Sequence, residues 1–133
     1  DLLNLIKSGK ATTLNNSRYL LMELPFYTLP PYLHNLIFNL RLYGYTTILA
    51  HPERNERIIE NPGLLLEIIR LGALVQTNVS SIAGEHGKQV RKTSVLLMKH
   101  NMIHFIATDA QVIEFRCCVR HLKCCHATIQ KSG

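Results

Sequence analysis

Two short apolar runs in this sequence are followed directly by side chains that can bind a metal ion or a phosphate. Residues 46–50 run into His51 and Arg54, and residues 104–108 run into Asp109. Imidazole nitrogens and carboxylate oxygens are ligands of divalent metals, and a guanidinium group can pair with a phosphate through two donors. If the two runs are neighbouring parallel strands, His51 and Asp109 leave them at the same level and can share one metal, with Arg54 free to bind a phosphate. The alternative is that His51 and Asp109 only hydrogen-bond to loop amides, which is the commoner role of such residues.

The elements that would position these side chains alternate along the chain. Four runs have the β-branched or apolar character of buried strands, at residues 19–24, 46–50, 73–79 and 104–108. Strand, loop and helix in repeated order require right-handed crossovers and parallel strands, which predicts an α/β fold. At about 30 residues per unit, the chain would form about half of an eight-unit barrel, which needs roughly 250 residues.

Apolar residues between the predicted strands recur at helical spacing. The three stripes expected to face the sheet are Leu33, Leu36, Ile37 and Leu40, then Leu64, Ile68 and Leu71, then Val95, Met98 and Met102. Each interval ends in a residue that readily takes a left-handed backbone before the next strand begins, and these residues are Gly44, Gly72 and Asn101.

Length and composition narrow the class of protein. With 133 residues and 47% apolar side chains, the chain is sized for one compact domain. Its apolar stretches are interrupted well before the length of about 18 residues that spans a membrane, and its first residues lack the charged-then-apolar order of a signal peptide. No membrane insertion and a cytoplasmic location are therefore expected. The chain opens at Asp1 in sequence of helical character, which suggests that further residues precede it.

The net charge of +6 raises the question of nucleic-acid binding. Half of that excess lies in residues 111–133, and the rest of the chain has no basic helix interleaved with aromatic residues, so a solvated basic surface is expected instead. The same segment holds the cysteines as two adjacent pairs, together with two histidines: Cys117, Cys118, Cys124, Cys125, His121 and His126. Adjacent cysteines lack the two-residue spacing of zinc ribbons and fingers, so neither a zinc site nor disulfide bonds are expected here.

The residues around His51 resemble a family signature. Ile48-Leu49-Ala50-His51-Pro52-Glu53-Arg54-Asn55 is similar to the signature of the manganese-dependent bacterial tyrosine phosphatases that act on capsule and exopolysaccharide kinases. These phosphatases belong to the PHP (polymerase and histidinol phosphatase) superfamily. Other segments resemble the same family in order along the chain, at residues 19–25, 72–84, 87–89 and 103–110. The resemblance is continuous and covers about residues 1–110.

The resemblance implies a distorted, TIM-like β/α barrel of the PHP type, with a cluster of metal ions at the C-terminal ends of its strands. The metal is usually manganese, and another divalent metal is possible. By matching positions, His51 and Asp109 are metal ligands and Arg54 contacts the phosphate. Arg116, seven residues after Asp109, matches a second phosphate-binding arginine. Glu53 is expected to be a structural carboxylate that orients Arg54 or caps the following helix.

The chain departs from the family pattern in two places. The family's N-terminal paired-histidine motif, a further histidine pair and a bridging glutamate are expected upstream of Asp1. Gln111 stands where the family has a histidine ligand, and glutamine is a poor ligand for these metals. Residues 1–110 are therefore interpreted as the C-terminal portion of a PHP phosphatase domain, and residues 111–133 as a divergent, Cys-rich basic tail. A shifted reading frame and genuine divergence both explain such a tail.

The resemblance predicts a metal-dependent phosphatase that removes phosphate from tyrosines of a bacterial polysaccharide-export kinase, with this chain inactive by itself. Another PHP phosphoesterase, such as one acting on histidinol phosphate, is the alternative among enzymes. A pseudoenzyme that binds a phosphorylated partner through Arg54 is an alternative of another class, as is a truncated product without function. The oligomeric state is left open.

Overall fold

The structure is a computed structural model that describes Asn4, Ile6, Ser8 and residues 13–108, 112–114 and 128–130. In chain order its elements are the 3-10 turn Leu14–Asn16, strand β1 (Tyr19–Glu23), helix α1 (Leu33–Leu42), strand β2 (Thr46–Ala50), the 3-10 turn Pro52–Arg54, helix α2 (Glu56–Glu60), helix α3 (Gly63–Arg70), strand β3 (Leu74–Asn78), helix α4 (Val79–Ala83), helix α5 (Lys88–Lys99) and strand β4 (Phe105–Ala107). Two further strands, β5 (Val112–Glu114) and β6 (Thr128–Gln130), pair antiparallel with each other in a separate sheet.

Strands β1 to β4 form one parallel sheet in the order β1-β2-β3-β4. This confirms the parallel α/β fold and places a strand in each of the predicted runs. The strands before His51 and Asp109 lie in this one parallel sheet, as predicted, but they are not neighbours, since β3 lies between β2 and β4. The sequential strand order places each unit beside the one before it. Within the described residues the sheet is open, with β1 and β4 at its edges, so the barrel stays a prediction.

Helices pack against the face of the sheet that carries Leu49 and Val75. Leu49 and Val75 are register partners and both are fully buried. They share one apolar cluster with buried residues of α1, α2, α3 and α5: Leu33, Ile37, Ile58, Leu65, Ile68 and Leu97. The predicted stripes are thus confirmed at Leu33, Ile37 and Ile68. No helix in the described part of the chain is long and apolar enough to cross a membrane.

The stripe predicted for the third helix is confirmed at Met102, which follows the helix and joins the apolar cluster, and is wrong at Val95 and Met98. In α5, Met98 is exposed and Val95 is half-buried, whereas the buried residues are Val90, Thr93, Ser94 and Leu97. Thr93 and Ser94 keep their hydrogen bonds when buried, because each hydroxyl donates to the carbonyl four residues earlier at 2.9 Å. A search for apolar residues misses this face of the helix because two of its members are polar.

The residues predicted to turn the chain into its strands have left-handed backbones. The φ angles of Gly44, Gly72 and Asn101 are 84°, 104° and 55°. Gly72 is also constrained by its surroundings, since an added Cβ would lie 3.0 Å from Cδ of Arg41. The Arg41 guanidinium stays at this place because it donates to the carbonyl of Leu71 at 3.0 Å.

Candidate active site

His51 follows the last residue of β2 and begins a sharp turn at the carboxyl edge of the sheet. Its N–H donates to the carbonyl of Gln76 at 2.7 Å, which extends the contact between β2 and β3 by one residue. Its backbone is left-handed, with φ 39° and ψ 51°, a conformation that costs about 1–3 kcal/mol for a residue with a side chain. Backbone strain of this kind is concentrated at functional sites.

The imidazole of His51 lies beside a carboxylate from the neighbouring strand. Glu23 ends β1, and its Oε1 lies 3.7 Å from Nε2 of His51. The His51 side chain is 15% exposed and that of Glu23 is 67% exposed, so the pair lies at the surface of the sheet edge. Two donors that bind one cation at about 2.1 Å each must lie within about 4.2 Å of each other, and this pair does. Glu23 is not among the site residues predicted from the sequence, although the strand-end rule that selects His51 also selects Glu23.

Glu53 is completely buried and ties the turn to β3. Its Oε1 accepts from the N–H of Asn78 at 3.2 Å, whereas its Oε2 makes no hydrogen bond with the described residues. The cap of helix α2 is Asn55, whose Oδ1 accepts from the N–H of Ile58 at 3.2 Å. Glu53 is therefore a structural carboxylate, as expected, but the helix cap considered for it belongs to Asn55.

The guanidinium of Arg54 lies among polar side chains from the segment after β3. Its Nη2 is 2.6 Å from Nε2 of His86 and 3.4 Å from Oγ of Ser80, and these two atoms are themselves 3.0 Å apart. Because a guanidinium can only donate, Nε2 of His86 accepts and the ring proton sits on Nδ1. A guanidinium, a hydroxyl and an imidazole thus meet at one point, and the guanidinium is the group of the three that suits phosphate oxygens. Neither Ser80 nor His86 is among the predicted site residues, because both reach Arg54 only through the fold of α4 and the turn after it.

Asn55 fixes the loop after β1 against the turn after β2. Its side chain is buried, and its Nδ2 donates to the carbonyls of Pro25 at 2.6 Å and Thr28 at 2.9 Å. The next residue, Glu56, donates its N–H to the carbonyl of Phe26 at 2.8 Å. The Phe26 ring lies next to His51, with ring centroids 6.5 Å apart and ring planes 13° from parallel. The loop of residues 25–28 is therefore held beside the candidate metal donors.

His104 has a structural role at the other end of the sheet. Its N–H donates to the carbonyl of Val75, and its Nδ1 accepts from the N–H of Val75, both at 2.9 Å. Burial lowers the pKa of His104, because a buried imidazole favours its neutral form. The neutral ring therefore supplies an acceptor to the pairing of β3 with the segment that leads into β4.

The other predicted site residues, Asp109 and Arg116, lie outside the described residues, as do Gln111 and the cysteines. In the part of the chain that the structure describes, no three His, Cys, Asp or Glu side chains form a group that could hold a metal ion. Glu23 and His51 are thus a pair of donors, which is fewer than the usual ligand set of a metal site.

The chain belongs to the capsular polysaccharide synthesis family CpsB/CapC, whose model matches residues 1–133. It is 44% identical to CapC of Staphylococcus aureus over 111 residues, which cover 84% of this chain and 44% of CapC. It is 43% identical over 104 residues to tyrosine-protein phosphatase YwqE of Bacillus subtilis, covering 78% of this chain and 41% of YwqE. Tyrosine-protein phosphatase CpsB of Streptococcus agalactiae serotype V is 28% identical over 121 residues, which cover 87% of this chain and 50% of CpsB.

A solved structure supports the same relationship. The structural match has a TM-score of 0.79 and 40% identity, and it covers 82% of this chain and 44% of the solved one. That structure comes from work on YwqE of Bacillus subtilis and CpsB of Streptococcus pneumoniae, described as unique metal-dependent tyrosine phosphatases. The family resemblance is thereby confirmed. The chain spans about half the length of the curated relatives it matches, and its division into residues 1–110 and 111–133 stays a prediction.

Proposed function

We propose that this chain supplies the C-terminal part of a metal-dependent protein-tyrosine phosphatase of capsule synthesis. One observation carries the proposal: Glu23 and His51 lie 3.7 Å apart at the carboxyl edge of a parallel sheet, in a chain related to YwqE and CpsB. Those proteins are described as metal-dependent tyrosine phosphatases. The complete fold that we propose is the PHP-type barrel, with the sheet β1-β2-β3-β4 as one part of its wall.

Glu23, His51 and Asp109 are the residues that we propose as metal ligands. The donors fit manganese, because carboxylate oxygens suit manganese and magnesium, while the imidazole also accepts other divalent metals. A divalent cation, when bound, supplies a Lewis acid for the phosphoryl oxygen and acidifies a water for attack on phosphorus. Glu53 contributes indirectly, since its contact with Asn78 fixes the turn that follows His51.

Arg54 is the proposed phosphate-binding residue. Its planar group offers two parallel N–H donors, which match two phosphoryl oxygens and oppose the charge that develops on them. Ser80 and His86 hold the guanidinium at the sheet edge through contacts of 3.4 and 2.6 Å. Arg116 is proposed as a second arginine on the same phosphate.

The proposed substrate is phosphotyrosine on a bacterial tyrosine kinase of polysaccharide export. The family name and the two tyrosine phosphatases among the relatives support this choice. Neither a nucleic-acid partner nor insertion of this chain into a membrane is proposed. The cytoplasmic location expected from the sequence stays a prediction.

The test compares this chain with a chimera that adds the portion of YwqE that the chain does not match. The 133-residue chain alone should show negligible hydrolysis of a phosphotyrosine peptide with manganese, because Glu23, His51 and Asp109 are too few donors to outcompete water for a hard cation. The chimera with Gln111→His should hydrolyse the peptide in a manganese-dependent way, and His51→Ala should abolish this activity. YwqE itself serves as the positive control.

Four results would contradict parts of the proposal. Hydrolysis by the chain alone, abolished by His51→Ala, would show that the site is complete in a way not proposed here. A folded chimera without activity would overturn the assignment of the C-terminal part. Binding of the phosphopeptide without release of phosphate would favour a phosphoprotein-binding pseudoenzyme, and a preference for histidinol phosphate would favour another PHP phosphoesterase.

A further inference from the structure

Phe26 is a large apolar side chain that stays exposed at the edge of the candidate site. It is 53% exposed, although its ring lies next to the imidazole of His51. An aromatic ring exposed to water lacks the favourable free energy of burial, and it obtains this free energy by packing against a bound molecule. The position beside His51 places this ring where the group attached to a bound phosphate would lie.

The loop that carries Phe26 is fixed before any ligand arrives. The carbonyls of Pro25, Phe26 and Thr28 each accept a hydrogen bond from residues 55–56. Asn55, which donates two of these bonds, is only 2% exposed, so its amide is shielded from competition by water. A ring on a fixed loop loses little conformational freedom when it binds a partner, which increases the net gain from the contact.

We propose that Phe26 is a specificity-determining residue that selects aryl over alkyl phosphate esters. Its ring forms one wall of the site, and the phenyl ring of phosphotyrosine packs against this wall while Arg54 holds the phosphate. In an aryl phosphate the ring is joined to phosphorus through the ester oxygen alone, so a phosphate beside His51 brings the two rings together. Phosphoserine and phosphothreonine carry no ring at that place. This inference rests on the proposed function, because it assumes that a phosphate ester binds at Arg54 and His51.

The experiment measures the affinity of the chimera with Gln111→His for three anions in the presence of manganese, from their competitive inhibition of phosphotyrosine-peptide hydrolysis. The probes are phenyl phosphate, ethyl phosphate and inorganic phosphate. Phenyl phosphate should bind about 2- to 10-fold more tightly than ethyl phosphate, which is the usual worth of one aromatic pair. Phe26→Ala should reduce this ratio to about one without changing the affinity for inorganic phosphate, and Phe26→Leu should leave a ratio in between.

Tyr27→Ala is the matched control, because Tyr27 is the next residue of the loop and is more exposed than Phe26. This variant should keep the wild-type ratio. Melting curves of all variants check that the fold is retained. If Phe26→Ala unfolds, the affinity ratio of Phe26→Leu still tests the inference.

Each contrary result points to a different error. Equal affinity of the wild type for phenyl and ethyl phosphate would overturn the role of Phe26 and leave the proposed function standing. A Phe26→Ala variant that loses affinity for inorganic phosphate in the same proportion would assign Phe26 a structural role, which also overturns the inference. Failure of all three anions to bind would overturn the proposed function itself, and the role of Phe26 with it.

Discussion

Replacement of Asn55 by alanine should destabilise the fold by about 3 kcal/mol, well above the usual effect of a polar residue. The buried amide makes three hydrogen bonds, as an acceptor from Ile58 N–H and as a donor to the carbonyls of Pro25 and Thr28. Loss of the helix cap costs about 1 kcal/mol, and each remaining bond adds about 1 kcal/mol. Asn55→Asp keeps the cap and loses the two donated bonds, so it should cost at least about 2 kcal/mol.

The assay is urea unfolding of the 133-residue chain, followed by far-UV circular dichroism. With a slope of about 2 kcal/mol per molar urea, Asn55→Ala should lower the midpoint by about 1.5 M. Asn61→Ala is the matched control, because Asn61 is exposed and, among the described residues, its Oδ1 accepts only the N–H of Gly63 at 3.1 Å. That control should cost no more than about 1 kcal/mol. If Asn55→Ala costs no more than Asn61→Ala, the idea that Asn55 joins two loops is refuted.

Other perturbations address strain, pH and phosphate binding. His51→Gly should raise the free energy of unfolding by about 1 kcal/mol in metal-free buffer, because glycine takes a left-handed backbone without strain. In the chimera, the same substitution should weaken manganese binding. A drop in the thermal stability of His51→Gly would show that the left-handed backbone of His51 is not strained. The pKa of His104 is lowered from 6.5 in the folded chain, so the unfolded chain binds the proton more readily. The stability that His104 contributes is therefore complete above pH 6.5 and is lost as the pH falls below 6.5. His104→Ala should reduce the dependence of the free energy of unfolding on pH, measured by urea titrations. An unchanged dependence would assign it to other titrating groups. Arg54→Lys should lower hydrolysis by the active chimera, since an ammonium group cannot replace a two-donor fork, whereas Arg57→Lys, at an exposed ion pair, should leave it unchanged. Equal activity of the Arg54→Lys variant and the unmodified chimera would remove Arg54 from the phosphate site.

The sheet and one candidate metal ligand could be predicted because both depend on local sequence. Each strand is a β-branched or apolar run, and Gly44 and Gly72 mark the turns before β2 and β3. His51 was found because it directly follows such a run, and the carboxyl ends of parallel strands meet at one edge. The resemblance of the residues around His51 to a phosphatase signature identified the family, which the comparisons with known proteins confirm.

What could not be predicted depends on contacts between distant residues. Asn55 lies 30 residues from Pro25, and no spacing rule links an amide to a carbonyl so far away. Ser80 and His86 meet Arg54 across 26 and 32 residues, through a helix whose direction the sequence does not reveal. The order of β2, β3 and β4 is another such contact: β3 separates the strand before His51 from the strand that leads to Asp109.

The hydrogen bonds of Asn55 also distinguish positions where a substitution leaves the fold intact from positions where it does not. Asn55 donates to the backbone carbonyls of Pro25 and Thr28, and the N–H of Glu56 donates to that of Phe26, so none of these bonds uses the side chain of Phe26. If Phe26 has the role proposed for it, substitutions at this position would change which esters bind while the loop keeps its place. Substitutions at Asn55 would release the loop and the start of α2 together, so they would be removed by selection for folding before any change of substrate preference could spread. A protein built this way can acquire new substrate preferences through single changes on the loop, while its scaffold remains the same.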